Sequence, residues 1–213
     1  MTDWNLPPDE IEKRSFAIID SEAGNHDWPP DAWTIVRRMV HTTADFEYVG
    51  SVRMHKDAIS RGCQAIRSGC TIFTDTNMAR SGISARRLAP FGVKVECFMA
   101  DPGVAELARQ NDTTRAVAAV DAVLDRLDGA IYVVGNAPTA LLRLVERIQT
   151  GDARPALVVG LPVGFVNAAE SKDAVAGIDY PYITALGRKG GSGVAASVIN
   201  ALADLCAKGD DHA

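Results

Sequence analysis

The chain has 213 residues, 47% of them hydrophobic, enough to bury a large core within one domain. Its formal net charge of -5 argues against general affinity for DNA, RNA or an anionic membrane. The 22 basic residues are nevertheless 16 Arg and only 6 Lys, and arginine is the better two-pronged grip on carboxylate or phosphate, although genome bias produces the same ratio.

In chain order, Pro7-Pro8-Asp9 opens a helix expected to reach about Ala23. Pro29-Pro30-Asp31 opens a second to about Ala44, because proline is tolerated in a first helical turn and Asp can cap. In the second helix Ile35, Val36, Met39 and Val40 share one apolar face at about 100° per residue. Arg38 and His41 then fall together on roughly the opposite side, where something polar must meet them. A third helical pattern covers residues 56–68, so the first 69 residues read as a helical N-terminal part.

From Thr71 the texture changes. Residues 71–75, 93–99, 130–134, 156–160 and 180–184 read as strands, separated by helical patterns at 83–88, 113–127, 139–149, 167–176 and 194–207. The pattern at 113–127 is the clearest, with Ala116, Val117, Val120, Val123, Leu124 and Leu127 at three- and four-residue spacing. Short apolar strands alternating with helices predict an α/β fold of three layers: a mainly parallel five-stranded sheet covered on both faces, flavodoxin-like, with the N-terminal helices added. Residues 1–213 are read as one domain, with the α/β core at 70–207.

The cysteines, Cys63, Cys70, Cys97 and Cys206, form no C-x-x-C and no metal-site pairing with the histidines. Residues 1–9 are too short and polar for a secretory leader, and no apolar run approaches membrane-spanning length. A cytoplasmic setting is the expectation, with no metal held by the protein itself.

In open parallel sheets the ligand crevice lies beyond the carboxyl ends of the strands. Those ends here carry Asp75-Thr76-Asn77-Met78, Asp101-Pro102-Gly103, Gly135-Asn136-Ala137-Pro138-Thr139, a loop at 161–167, and Gly187-Arg188-Lys189-Gly190-Gly191-Ser192-Gly193. The last combines two cations with glycines that can turn N–H groups toward an anion, though a mobile polar loop has the same composition. It lacks the Walker spacing, and no G-x-G-x-x-G follows the first strand. Arg115 sits in the first turn of a helix, where the macrodipole disfavours a cation by about 0.3–1 kcal/mol unless an anion binds or the side chain points outward. Asp75 and Asn77 could cap the following helix or touch ligand, and His26 and His55 read as surface residues.

Several segments together resemble the precorrin-8X methylmutase family of corrin (vitamin B12) biosynthesis, including its cobalt-precorrin-8 branch. They are Arg14-Ser15-Phe16, Arg38-Met39-Val40-His41-Thr42, Thr74-Asp75-Thr76-Asn77-Met78, Asp112-Thr113-Thr114-Arg115, Gly135-Asn136-Ala137-Pro138-Thr139-Ala140-Leu141, the run from Pro162 to Lys172, and Gly187-Arg188-Lys189-Gly190-Gly191-Ser192. They span nearly the whole chain in family order. The resemblance implies an isomerase that moves a methyl group from C11 to C12 of a tetrapyrrole-derived ring without an external cofactor, any cobalt arriving inside the substrate. It implies His41 as the catalytic acid/base, Ser15 and Arg38 as substrate-binding residues, and a homodimer or larger oligomer with its active site near the subunit boundary. Thr42, Asn136, Arg115, Arg188 and Lys189 join the expected substrate contacts.

That chemistry is physically coherent. A ring fringed with carboxylates calls for arginines even in an acidic protein, each charge-assisted bond contributing about 1.5–3 kcal/mol. A methyl shift is helped by protonating a ring nitrogen, for which an imidazolium is a suitable donor. Two other readings stay open at this point: a non-catalytic corrin carrier, and a flavodoxin-like module binding a nucleotide or phosphate. Whether the substrate carries cobalt is likewise open, with residues 42–46 and 74–78 standing slightly closer to the cobalt branch.

Overall fold

A computed structural model describes residues 6–208. The elements are α1 (Pro8–Glu22), α2 (Pro30–Thr43), α3 (Glu47–Ser51), β1 (Val52–Met54), α4 (Ala58–Arg67), β2 (Thr71–Thr74), α5 (Asn77–Gly82), α6 (Ala85–Leu88), β3 (Lys94–Glu96), α7 (Pro102–Gln110), α8 (Arg115–Asp121), β4 (Ile131–Val134), α9 (Pro138–Gln149), β5 (Leu157–Gly160), α10 (Ala168–Ala176), β6 (Tyr182–Ala185) and α11 (Ser192–Lys208).

The strands form one six-stranded sheet in the order β1-β6-β5-β4-β2-β3. β2 to β6 are mutually parallel, whereas β1 runs antiparallel to β6, with Arg53 opposite Thr184. Side chains alternate across the sheet, as the period of two requires. Ile72, Ile131, Val133, Leu157, Val159 and Ile183 face a core shared with α2, α4 and α11. Phe73, Tyr132, Val134, Val158 and Tyr182 face a second core built with α8, α9 and α10. The three-layer, mainly parallel expectation holds.

The sheet has six strands rather than five. Val52–Met54 is too short to show an alternating pattern, and it pairs along one side only, so the first 69 residues are not wholly helical. Three helices also lie outside the sequence reading: α3, α5, which ends before the pattern expected at 83–88, and α7, which starts on Asp101-Pro102 with the Asp101 carboxylate accepting from the Gly103 N–H. The pattern at 113–127 is interrupted, because the α-helix stops at Asp121 and residues 124–126 form a 3₁₀ turn. Its apolar periodicity reports burial of Val120, Val123 and Leu127 rather than helix continuity.

α11 is apolar all round because it is covered all round: one side lies on the sheet and the other carries α2. Trp28, Pro29 and Ala32 at the start of α2 share a cavity wall with Leu205 and Lys208 at the end of α11. At the other end of α2 the chain reaches the loop that leads into α11, where Asp45 meets Lys189, so the His41 end of α2 lies toward the carboxyl ends of the parallel strands.

Candidate active site at the strand ends

α2 closes at Ala44, whose φ of 52° is left-handed, an unusual conformation for a residue with a Cβ. This turn directs Asp45 and Glu47 toward the β6–α11 loop. There Lys189 Nζ lies 2.5 Å from Asp45 Oδ2 and 3.0 Å from Glu47 Oε2. The ammonium beside Asp45 holds that carboxyl below its ordinary range, and the two carboxylates raise Lys189. One turn before Ala44, the His41 ring is exposed and meets Phe16 of α1 edge-on at 5.2 Å between centroids. Among the described residues it has no hydrogen-bond partner.

From Lys189 the contacts continue across the strand ends. The Ser192 and Thr76 hydroxyls lie 2.8 Å apart, and Thr76 also caps α5 by accepting from the Ala79 N–H. Capping thus falls to Thr76, between the two candidates Asp75 and Asn77. Asp75 is instead 1% exposed and reaches across to the β4–α9 loop. Its Oδ1 accepts from the Gly135 N–H at 2.8 Å, and its Oδ2 from Asn136 at 2.8 Å and Ala137 at 2.7 Å. Burial pushes this carboxyl above its ordinary range even though the three backbone donors pull the other way. Thr139, in the first turn of α9, approaches the α8 cap Thr114 at 3.3 Å between hydroxyls, which places Arg115 beside the same loop.

Glycine is required here for close approach. A Cβ on Gly190 would stand 2.3 Å from the Leu161 carbonyl oxygen, and one on Gly135 would stand 2.7 Å from Ser192 Cα. Gly191 donates its N–H to Leu161 O at 2.8 Å, and Gly164 to Arg188 O at 3.2 Å, so backbone bonds staple the β5–α10 and β6–α11 loops together. Underneath, Lys172 of α10 is fully buried and donates from Nζ to the Lys189 carbonyl at 2.5 Å, and burial lowers its pKa to about 8.

The structure therefore gathers Arg188, Lys189, Asn136 and Arg115 along the strand ends and brings the His41–Thr42 end of α2 to the same region. Arg115 and Arg188 have no carboxylate partner among the described residues; Arg188 lies 5.6 Å from the Phe165 ring centroid. Thr42 and Ser15 spend their hydroxyls on helix carbonyls, Arg38 O and Ile11 O respectively. Arg38 meets Glu12 Oε1 at 2.5 Å and Asp204 Oδ2 at 3.3 Å, and its guanidinium stacks 4.7 Å from the Phe16 centroid. Arg38 and His41 therefore share the Phe16 ring as a common support.

Sequence reasoning missed Lys172 and the bridging role of Asp75. It also missed an apolar rim of Met78, Val163, Phe165 and Val166, all exposed, with Phe165 at 85%. An exposed aliphatic and aromatic cluster at a ligand edge is a signal only once the loops are placed. A cavity of about 730 Å³, lined by Trp28, Met54, His55 and Cys63, lies at the opposite end of the sheet, since the His55 N–H bonds Tyr182 O where β6 begins. His55 is not a surface residue but half-buried there, its Nε2 2.9 Å from Asp179 Oδ1. Among the described residues no group of three or more His, Cys, Asp or Glu gathers as a metal site, and no helix is long and apolar enough to cross a membrane.

A six-stranded α/β sheet with arginines and an apolar rim on its strand-end loops, and the exposed His41 at the adjoining end of α2, defines a candidate enzyme site. Residues 10–205 match the family described as precorrin-8X methylmutase. A protein of Leptospira interrogans named cobalt-precorrin-8 methylmutase is 43% identical over 93% of this chain and 94% of its own length. One of the same name from Salmonella typhimurium is 44% identical over 92% of this chain and 94% of its own. The crystal structure of a precorrin-8x methyl mutase from Thermus thermophilus superposes with a TM-score of 0.88 at 48% identity, covering 94% of this chain and 97% of that one. The chain belongs to the precorrin-8X methylmutase family of enzymes.

Proposed function

We propose that this enzyme isomerises cobalt-precorrin-8, or its metal-free counterpart, by moving a methyl group from C11 to C12 of the ring in vitamin B12 biosynthesis. His41 is the acid/base: it protonates a ring nitrogen, which polarises the conjugated system, and recovers the proton from the product, so no base partner is needed. The observation that supports this reading is the link from the end of the His41 helix, through Asp45 and Lys189, to strand-end loops whose Arg115 and Arg188 have no carboxylate partner among the described residues and which carry an apolar rim. Arg188 and Arg115 take substrate carboxylates, while Met78 and Phe165 cover apolar ring surface. Asn136 and Thr42 line the same opening. Ser15 and Arg38 contact substrate from the α1/α2 side, Arg38 exchanging one of its internal carboxylates for one of the ring's.

The migrating methyl group comes from the ring itself, so the proposed reaction needs no external methyl donor, and we take it to run without an added cofactor. The order of the five parallel strands, β3-β2-β4-β5-β6, supports a flavodoxin-like core with β1 added at one edge. Exposed Ile11 and Ile18 on α1, together with the Phe165–Val166 rim, support a homo-oligomer. A biosynthetic enzyme of this family working in the cytoplasm completes the reading. The test is to mix the protein in parallel with the cobalt-loaded and metal-free substrates and follow the absorption spectrum. Conversion to the migrated corrin chromophore supports the reading and identifies the substrate; binding without conversion of either would make the protein a carrier.

A further inference from the structure

We infer that Lys172 and Lys189 are positioning residues: together they fix the β6–α11 loop against the turn that ends the His41 helix. This rests on the reading of His41 and that loop as parts of one site. Lys189 is held from both sides. Its carbonyl accepts from the buried Lys172 ammonium at 2.5 Å, and its own ammonium reaches Asp45 at 2.5 Å and Glu47 at 3.0 Å, immediately beyond α2. Only the single residue Ala44, in its left-handed conformation, separates α2 from Asp45.

Burying an ammonium is costly without compensation. Lys172 is fully enclosed, and among the described residues it makes no ion pair; its hydrogen bond goes to the backbone of a loop 17 residues away. The element that carries this cost acts on loop geometry. The outer half of the tether, Lys189 with its carboxylates, is half-exposed, and exposed pairs contribute little to global stability. Its consequence is therefore local order rather than fold stability. The two cations of the loop have different partners: Arg188 has no carboxylate partner among the described residues and lies over Phe165, while Lys189 reaches Asp45 and Glu47.

The experiment combines amide hydrogen exchange on the substrate-free protein with steady-state kinetics on the methylmutase substrate. In Lys189→Met, exchange should accelerate in residues 41–47 and 186–192 and stay unchanged elsewhere. With His41 displaced relative to bound substrate, kcat should fall about tenfold while KM moves less than about threefold. Lys189→Arg, whose fork can still span Asp45 and Glu47, should keep kcat within about twofold. Lys172→Met should reproduce the Lys189→Met pattern; if that variant fails to fold, the exposed Lys189 decides alone. Unchanged exchange in Lys189→Met overturns the inference, as does a raised KM with intact kcat, which would make Lys189 a direct substrate ligand. If the native protein turns over neither substrate, the functional reading fails, and the exchange pattern still decides whether the tether exists.

Discussion

Replacing Asp75 with Asn isolates the contribution of one buried carboxylate to the shape of the site. The carboxylate accepts three backbone N–H bonds at 2.7–2.8 Å, from Gly135, Asn136 and Ala137. An Asn side chain can aim its single oxygen at Asn136 and Ala137, but its NH₂ then faces the Gly135 N–H, donor against donor. One buried unsatisfied donor costs about 1–3 kcal/mol, and the two surviving bonds lose their charge assistance. Against this stands the relief of no longer burying a charge, the same burial that pushes the Asp75 carboxyl above its ordinary range. The net expectation is a loss of about 2–3 kcal/mol, read by urea unfolding at pH 7, with faster exchange at the Gly135 amide. The pH dependence has a definite sign. A raised folded value means that the native state holds this proton more tightly, so stability is lost as pH rises from the ordinary 3.8 through the raised value, and the Asn variant lacks that step. A destabilisation under about 0.5 kcal/mol, with Gly135 exchange unchanged, would refute the assignment of Asp75 as the organiser of this loop.

Three further substitutions probe other parts of the molecule. Arg38→Ala should cost about 1 kcal/mol and weaken binding of the corrinoid product, measured by titration. Arg38 holds the Glu12 carboxyl below 4.5, so that stabilisation is present above this pH and lost on acidification, and the variant should show a flatter acid limb in thermal melts. Gly190→Ala should be destabilising by at least about 2 kcal/mol in urea unfolding, because its Cβ would stand 2.3 Å from Leu161 O and 2.6 Å from Pro162 O, both main-chain atoms with little room to move. Arg188→Ala should weaken product binding about ten- to a hundredfold in titration while leaving the melting temperature unchanged, since its contact with Phe165 lies at the exposed rim.

The parts of the fold that were legible in the sequence are those where periodicity reports burial directly. The central strands β4 and β5 are buried on both faces, and their runs of Val, Ile and Leu were recognisable at once. The three-residue strand β1 carries no such signal, because its place in the sheet is set by pairing to β6 rather than by its own pattern. At 113–127 the same logic misled: apolar spacing survived while the hydrogen-bond ladder did not. In the site, the Arg38–His41 side of α2 and the cationic glycine loop were visible from spacing and composition. The roles of Asp75, Lys172 and Asp45 were not, because each acts on a backbone or side chain 60, 17 or 144 residues away. Even the glycines of the β6–α11 loop meant something more specific than flexibility: Gly190 admits a neighbouring backbone.

The exposed ring of His41, resting on Phe16 with no hydrogen-bond partner among the described residues, makes its removal a clean test of the proposed chemistry. Single-turnover absorption kinetics of His41→Ala with the methylmutase substrate at pH 7 should show the rate falling by about 10²–10⁴, with product affinity and melting temperature close to those of the native enzyme. A variant that converts substrate at the native rate would contradict the assignment of His41 as the acid/base and move the chemistry elsewhere along the strand ends.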